Sequence, residues 1–512
     1  MGETARYISH RLATLPAPAL TGVQRGIEKE SLRANADGSL ALTPHPAALG
    51  SALTHAHITT DFSESQLELI TGVHGSVAGC LDELRQIHAA VARALDDEMM
   101  WVSSMPCGLP PDETIPIGRY GSSNIGRAKS VYRMGLGHRY GRRMQTISGI
   151  HYNWSMPGLT SEDYFSLIRN FRRHVFVPML LLGASPAVCE SFVAGRSHEL
   201  QRLAGSTLGL PHATSLRMGR LGYRSDAQAS LAVSYNNLDS YAGSLHGALT
   251  QTYPAYEAIG VHNPGGEYNQ LATTLLQIEN EFYGSIRPKR VIRSGERPLH
   301  ALRERGVEYI EVRCLDLDPF ETLGIAAPAV ALLDVFLLHC LLAPSAADSP
   351  DEIAALGRNQ ERTAARGREP GLRLERGGRE VVLLEWAAEV LEQCVPIARA
   401  LDAAQGGSRH RAALAAASEA LGDTRALPSS RVLDTMARDF GGSHIQFVRS
   451  RSAATKRALL DAPWSAELDR HFRTMAAASI EAQRAAEAAD QEPFETFRQR
   501  YLDAARLTPS IG

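Results

Sequence analysis

The sequence predicts an α+β fold, a mainly antiparallel β-sheet flanked by helices and followed by a helical C-terminal region. Two observations carry this. Strand-like runs in the first two thirds alternate with helical ones but lack the regular β-α-β rhythm of a doubly wound fold. Beyond residue 381 every apolar stripe has helical spacing.

Taken in order, residues 24–33, 66–71, 145–155, 231–236 and 307–315 predict strands by period-two alternation or β-branched content. Residues 78–95 and 161–182 predict helices between them. The most apolar stretch, 325–343, contains Pro328, Asp334 and His339 and therefore predicts a buried helix rather than a membrane span. Residues 343–380 are rich in Pro, Gly and charge and predict a loop or partly ordered connection. Helices are expected at 382–401, 410–421, 428–439 and 466–489; Leu383, Trp386, Val390, Leu391 and Cys394 form one such stripe. The expected organisation is a sheet-bearing region 1–342, a connection 343–380, and a helical region 381–512 packed on or covering the first.

With 44% hydrophobic and 21% charged residues among 512, the chain has ample material for a large core. A net charge of −3 gives no basic surface for nucleic acid or an anionic membrane. Six scattered cysteines without a C-x-x-C pair predict buried thiols rather than a disulfide framework or zinc site, and a reducing cytoplasm. No apolar core follows a basic start at the N-terminus, so no secretory signal is expected there.

The chemistry is carried by polar residues at spacing two within strands. Alternation puts Glu28 and Glu30 on one face, Glu68 beside Gln66 and Ile70, His151 beside Asn153, and Glu311 beside Arg313, with apolar residues behind; Asp61 lies just upstream of Glu68. Each strand alone reads as half buried with a wet polar face. Four strands with the same pattern predict instead that Glu28, Glu30, Asp61, Glu68 and Glu311 converge. Such carboxylates raise one another's pKa unless cations lie between them. Carboxylate oxygens with one imidazole suit Mg²⁺ or Mn²⁺, and Arg313 is placed to hold a phosphate. Other phosphate motifs are absent: Gly121–Arg127 has P-loop spacing but arginine in place of lysine, and Gly135, Gly137 and Gly141 miss the dinucleotide spacing by one residue. No G-x-S-x-G or H-E-x-x-H occurs.

The runs 24–33, 51–54, 58–62, 145–153, 183–186, 213–217, 276–281, 286–290 and 308–313 closely resemble proteobacterial-type glutamate–cysteine ligases, from about residue 24 to 338 and more loosely to 492–494. The resemblance implies a glutamine-synthetase-like sheet curved into a partial barrel. It implies ATP-dependent ligation of the L-glutamate γ-carboxylate to the amine of L-cysteine through γ-glutamyl phosphate, the first step of glutathione biosynthesis. It also implies magnesium, or manganese in its place, held by Glu28, Glu30, Asp61, Glu68, His151 and Glu311. Arg313 is implied as the contact to the transferred phosphate, with Glu28 and Glu311 beside it in catalysis. Phe62, Tyr132, Arg133, Leu136, Gln145, Asn153, Arg217, Tyr223 and Tyr283 are implied as the amino-acid pocket. Feedback inhibition by glutathione and a monomeric state are further expectations. Two alternatives stay open here: a related ligase with another acceptor amine, and a non-catalytic binding protein. The segment 157–164 has no cysteine, so Cys107 has no disulfide partner there.

Overall fold

The computed structural model describes residues 3–222, 226–229, 231–293 and 295–507. Seven strands build one sheet: β1 (Gln24–Ala34), β2 (Ile58–Thr60), β3 (Gln66–Ile70), β4 (Met99–Met100), β5 (Ile150–Ser155), β6 (Ile286–Lys289) and β7 (Tyr309–Leu315). Their order is β2-β3-β1-β5-β7-β6, with β4 pairing the end of β1. Every pairing is antiparallel, and the path stays open with β2 and β6 at its edges.

Register decides which side chains share a face. Glu28 is opposite His151, Glu30 opposite Glu68, and Glu311 opposite both Asn153 and Arg287. Directly paired residues point the same way. The expected acidic face is therefore continuous across β3, β1, β5, β7 and β6. Behind it Ile27, Leu67, Leu69, Ile150, Tyr152, Trp154, Ile310 and Val312 join a core with the helices Val77–Ala94, Ser161–His174 and Ala327–Leu342. The last is buried on nearly all sides, as its apolar sequence requires.

Several expectations need correcting. Residues 231–236 form no strand, because the backbone and side chains of Ser234, Tyr235 and Asn236 bond to Asp348 rather than to a neighbouring strand. The strand expected at 145–155 begins only at Ile150, after a 3₁₀ turn at Met144–Thr146. The helix expected over 161–182 is two, Ser161–His174 and Phe176–Leu182. Pro178 has no N–H for the His174 carbonyl, so the helix breaks between them. Residues 343–380 are more ordered than a loop or partly ordered connection. They carry the helix Pro350–Arg366, capped by Ser349, and the strand Arg373–Arg376, which turns at Gly377 and Gly378 into Arg379–Val382. A helix at His444–Asp461 was not expected at all.

The C-terminal helices make two kinds of contact. Leu383–Gln405 and Arg409–Gly422 join the core behind the sheet. Ala466–Ala489 holds the 51–54 loop through Ser479 and Gln483, and Phe494 and Phe497 pack on the helix Asn124–Tyr140.

The expectation of six free thiols also fails. Cys107 and Cys189 form a disulfide with a Cα–Cα distance of 5.0 Å, while Cys80, Cys314, Cys340 and Cys394 are free and buried. The two half-cystines lie 82 residues apart, a separation that reveals no partnership before the chain folds. No described helix is long and apolar enough to cross a membrane.

Candidate active site

The acidic face is crowded and short of counter-charge at its centre. Glu28, Glu68 and His151 bring one ligand atom each within 4.8 Å of one another. Glu28 accepts from Asn153 Nδ2 at 2.8 Å, and its second oxygen lies 3.4 Å from His151 Nδ1. Glu30 accepts from the Gly149 backbone N–H at 2.8 Å and lies 3.4 Å from His151 Nε2. Asp61 acts electrostatically on both Glu30 and Glu68.

Protonation preferences divide the carboxylates in two. Burial, then Asp61, pushes Glu30 up to about 8. Burial, then Glu28, Asp61 and Glu30, raises Glu68 well above the carboxylate range. Burial also acts to raise Glu28 and Glu311, but their partners outweigh it: His151 and Lys289 lower the first, Lys289 and Arg313 the second. Like charges thus compete for too few cations. An imidazole and several carboxylate oxygens on one buried face fit a hard divalent cation, which would remove that competition.

At the other end of the face, Glu311 lies 3.0 Å from both Lys289 Nζ and Arg313 Nη1. Arg313 falls where the β7–β5 register shifts between Val312 and Leu315. Such irregularities often re-aim a side chain beside a site. Arg313 also lines a 920 Å³ cavity with Tyr283, Ser285, Tyr235 and Gly357.

The expected pocket residues fall into three groups. Tyr132, Arg133 and Leu136 share one side of the helix Asn124–Tyr140 by their spacing. Arg133 donates to the carbonyls of Asp61 and Lys129 and stacks 4.6 Å from the Tyr120 ring, while Phe62 and Leu136 are buried. Gln145 donates to the Tyr283 hydroxyl at 2.8 Å. Arg217 is fully buried beside Gly149, where a Cβ would strike its guanidinium. It acts electrostatically on Glu30. Tyr223 lies outside the described residues.

Sequence reasoning assigned no role to Lys289, Arg287 or Gly149. For the two cations the signal was present: spacing two within Ile286–Lys289, the same pattern that singled out the acids. Gly149 had a weaker one, a glycine entering a strand, where close backbone approach is common.

With this geometry in hand, comparison with known proteins is informative. The family model for glutamate–cysteine ligase matches residues 11–363. The glutamate–cysteine ligase of Janthinobacterium sp. (strain Marseille) is 48% identical over 97% of this chain and 98% of its own length. That of Alcanivorax borkumensis is 45% identical over 96% and 98%. The crystal structure of a Francisella tularensis glutamate–cysteine ligase in complex with AMP superposes with a TM-score of 0.90 at 34% identity, covering 95% of this chain and 98% of that one. A bifunctional glutathione synthetase from Pasteurella multocida shares the fold at 22% identity and a TM-score of 0.71, over 93% of this chain and 58% of that one. Matched by the family model over more than half its length and by near-half-identical relatives almost end to end, this chain belongs to the glutamate–cysteine ligase family.

Proposed function

We propose that this enzyme uses ATP to join the γ-carboxylate of L-glutamate to the amino group of L-cysteine, giving γ-glutamylcysteine, ADP and phosphate, the first step of glutathione biosynthesis. The observation that carries the site-level reading is the surplus of carboxylates at Glu28, Glu30, Asp61, Glu68 and Glu311 around one imidazole, with Arg313 beside them. Family membership supplies the substrates.

A carboxylate does not react with an amine until one of its oxygens becomes a leaving group, and the expected activated species is γ-glutamyl phosphate. Divalent cations, when bound, neutralise the phosphate oxygens during transfer. Glu28, Glu30, Asp61, Glu68, His151 and Glu311 are the residues that would hold them. Arg313 contacts the phosphate in transit, and Lys289 shares the neutralisation of Glu311, so that Arg313 is not committed to one carboxylate. Arg133 and Arg217 suit a substrate carboxylate, while Phe62, Tyr132, Leu136, Gln145, Asn153, Tyr223 and Tyr283 shape the amino-acid pocket. No side-chain nucleophile is needed, because placement and preorganised charge do the work. A monomer in the cytoplasm, inhibited by glutathione, completes the proposal.

The test is ADP release across acceptor amines. Turnover should require glutamate, cysteine and Mg²⁺ together. Full activity with ammonia in place of cysteine would overturn the acceptor assignment.

A further inference from the structure

A second group of metal-ligand residues lies behind the sheet, away from the acidic face. His174 ends the helix Ser161–His174, and His339 and Cys340 belong to the helix Ala327–Leu342. One ligand atom from each lies within 4.8 Å of the others. Aromatic rings enclose them: Trp386 meets His174 edge-on at 5.8 Å, Phe176 lies 4.5 Å from Trp386, and Phe336 stacks on His339 at 6.4 Å.

The tautomer of His339 follows from its neighbours. Glu389 is ion-paired with Arg376, and as a carboxylate it only accepts. The Gln393 atom facing it at 3.1 Å is therefore the amide nitrogen, which turns the amide oxygen toward His339 Nε2 at 2.8 Å. Nε2 must then carry the proton, and Nδ1 presents a bare lone pair. That lone pair is fully buried, since His339 is 0% exposed, and it has no hydrogen-bond partner. His174 Nδ1 is likewise buried without one. A histidine whose second nitrogen donates to a fixed oxygen has the arrangement by which proteins orient metal-ligating imidazoles.

We propose that His174, His339 and Cys340 form a binding site for a borderline-soft d¹⁰ cation, Zn²⁺ above all. Two imidazoles and one thiol suit Zn²⁺ and not the hard cations of the acidic face. Ligands on tetrahedral zinc stand about 3.5 Å apart, a separation that fits inside the 4.8 Å bounding the three atoms. Cys340 releases its proton to solvent as the cation binds, and a water fills the fourth position. His174 is the half-buried member, and His339 and Cys340 are buried. The bound ion ties two helices of the layer behind the sheet together, so its effect falls on stability rather than on turnover. The other sulfur-containing group, Cys107, Cys189 and His444, carries no such proposal, because its two sulfurs are bonded to each other.

Co²⁺ is the probe, added to the purified full-length chain with excess Mg²⁺ present. A thiolate-to-Co²⁺ charge-transfer band should saturate at one equivalent and vanish on adding Zn²⁺. The band should be lost in Cys340→Ala and kept in the double variant Cys107→Ala/Cys189→Ala. His174→Gln, at the half-buried position, should weaken Co²⁺ at least tenfold and abolish the rise in thermal midpoint that Zn²⁺ gives the wild type. Absence of the band in the wild type, its survival in Cys340→Ala, or its loss in the Cys107/Cys189 variant alone would overturn the site. Should Cys340→Ala not fold, unchanged Co²⁺ affinity in His174→Gln would overturn it equally.

Discussion

The two faces of the central sheet both bury charge, but they dispose of it in opposite ways. Behind the sheet, Arg25 pairs with Asp334 at 3.1 Å, and Tyr152 donates to the other Asp334 oxygen at 2.7 Å. Lys29 meets His88 Nδ1 at 3.2 Å, and burial lowers the lysine to about 7, close to discharge at neutral pH. The rear charges are thus paired with an opposite charge or held close to neutral. On the front, Glu30 and Glu68 are driven toward protonation by burial and by neighbouring carboxylates. Buried charge by itself thus says little about function. Carboxylates that burial and like neighbours drive toward protonation, despite the cations beside them, do.

Substitutions on the two faces should separate this contrast. The largest effect is expected behind the sheet, where Asp334→Asn leaves Arg25 buried without its counter-charge. Breaking such a pair costs about 3–5 kcal/mol, readable in urea unfolding, while turnover per folded molecule holds. Next comes the front: Glu28→Gln or Arg313→Lys should lower kcat by about 10² or more, the usual consequence of removing one preorganised charge. Unfolding curves for these two should match the wild type, and wild-type kcat would remove the residue from the site. Gly149→Ala follows. Its Cβ meets the Arg217 guanidinium, which has no exposed space to move into. Overpacking of about 1–3 kcal/mol should appear in the thermal midpoint together with a lower kcat/KM. The smallest effect is expected for Lys29→Met, between Glu28 and Glu30 in sequence but on the other face. It costs about 1 kcal/mol for the partner that His88 loses, with kcat unchanged. If Lys29→Met lowered kcat as far as Glu28→Gln does, the contrast between the faces would fail.

Much of the front face was legible because strand periodicity is local. Glu28, Glu30, Glu68, His151 and Glu311 sit in strands whose alternation can be read one segment at a time, and register then aligned them. The same rule reached Arg287 and Lys289 and was not applied to them. What stayed hidden depends on partners distant in the chain. Cys107 finds Cys189 only after the fold forms. The strand expected at 231–236 was prevented by Asp348, more than a hundred residues away. The helix Pro350–Arg366 is a different kind of miss: Ser349, Pro350 and Glu352 are an ordinary helix start, outweighed in the reading by the Pro- and Gly-rich surroundings. Arg217 sits in the three-residue 3₁₀ turn Leu216–Met218, too short to carry a period, and Arg133 owes its place to the Asp61 carbonyl that its helix meets only in the fold.

Mn²⁺ binding without substrates shows whether divalent cations supply the charge that Glu30 and Glu68 call for on the front face. Equilibrium dialysis of the wild type, Glu68→Gln and Lys29→Met would compare the faces on one quantity. Glu68→Gln should lose affinity at least tenfold, while Lys29→Met should bind as the wild type does. Equal Mn²⁺ affinity in Glu68→Gln and wild type would contradict this.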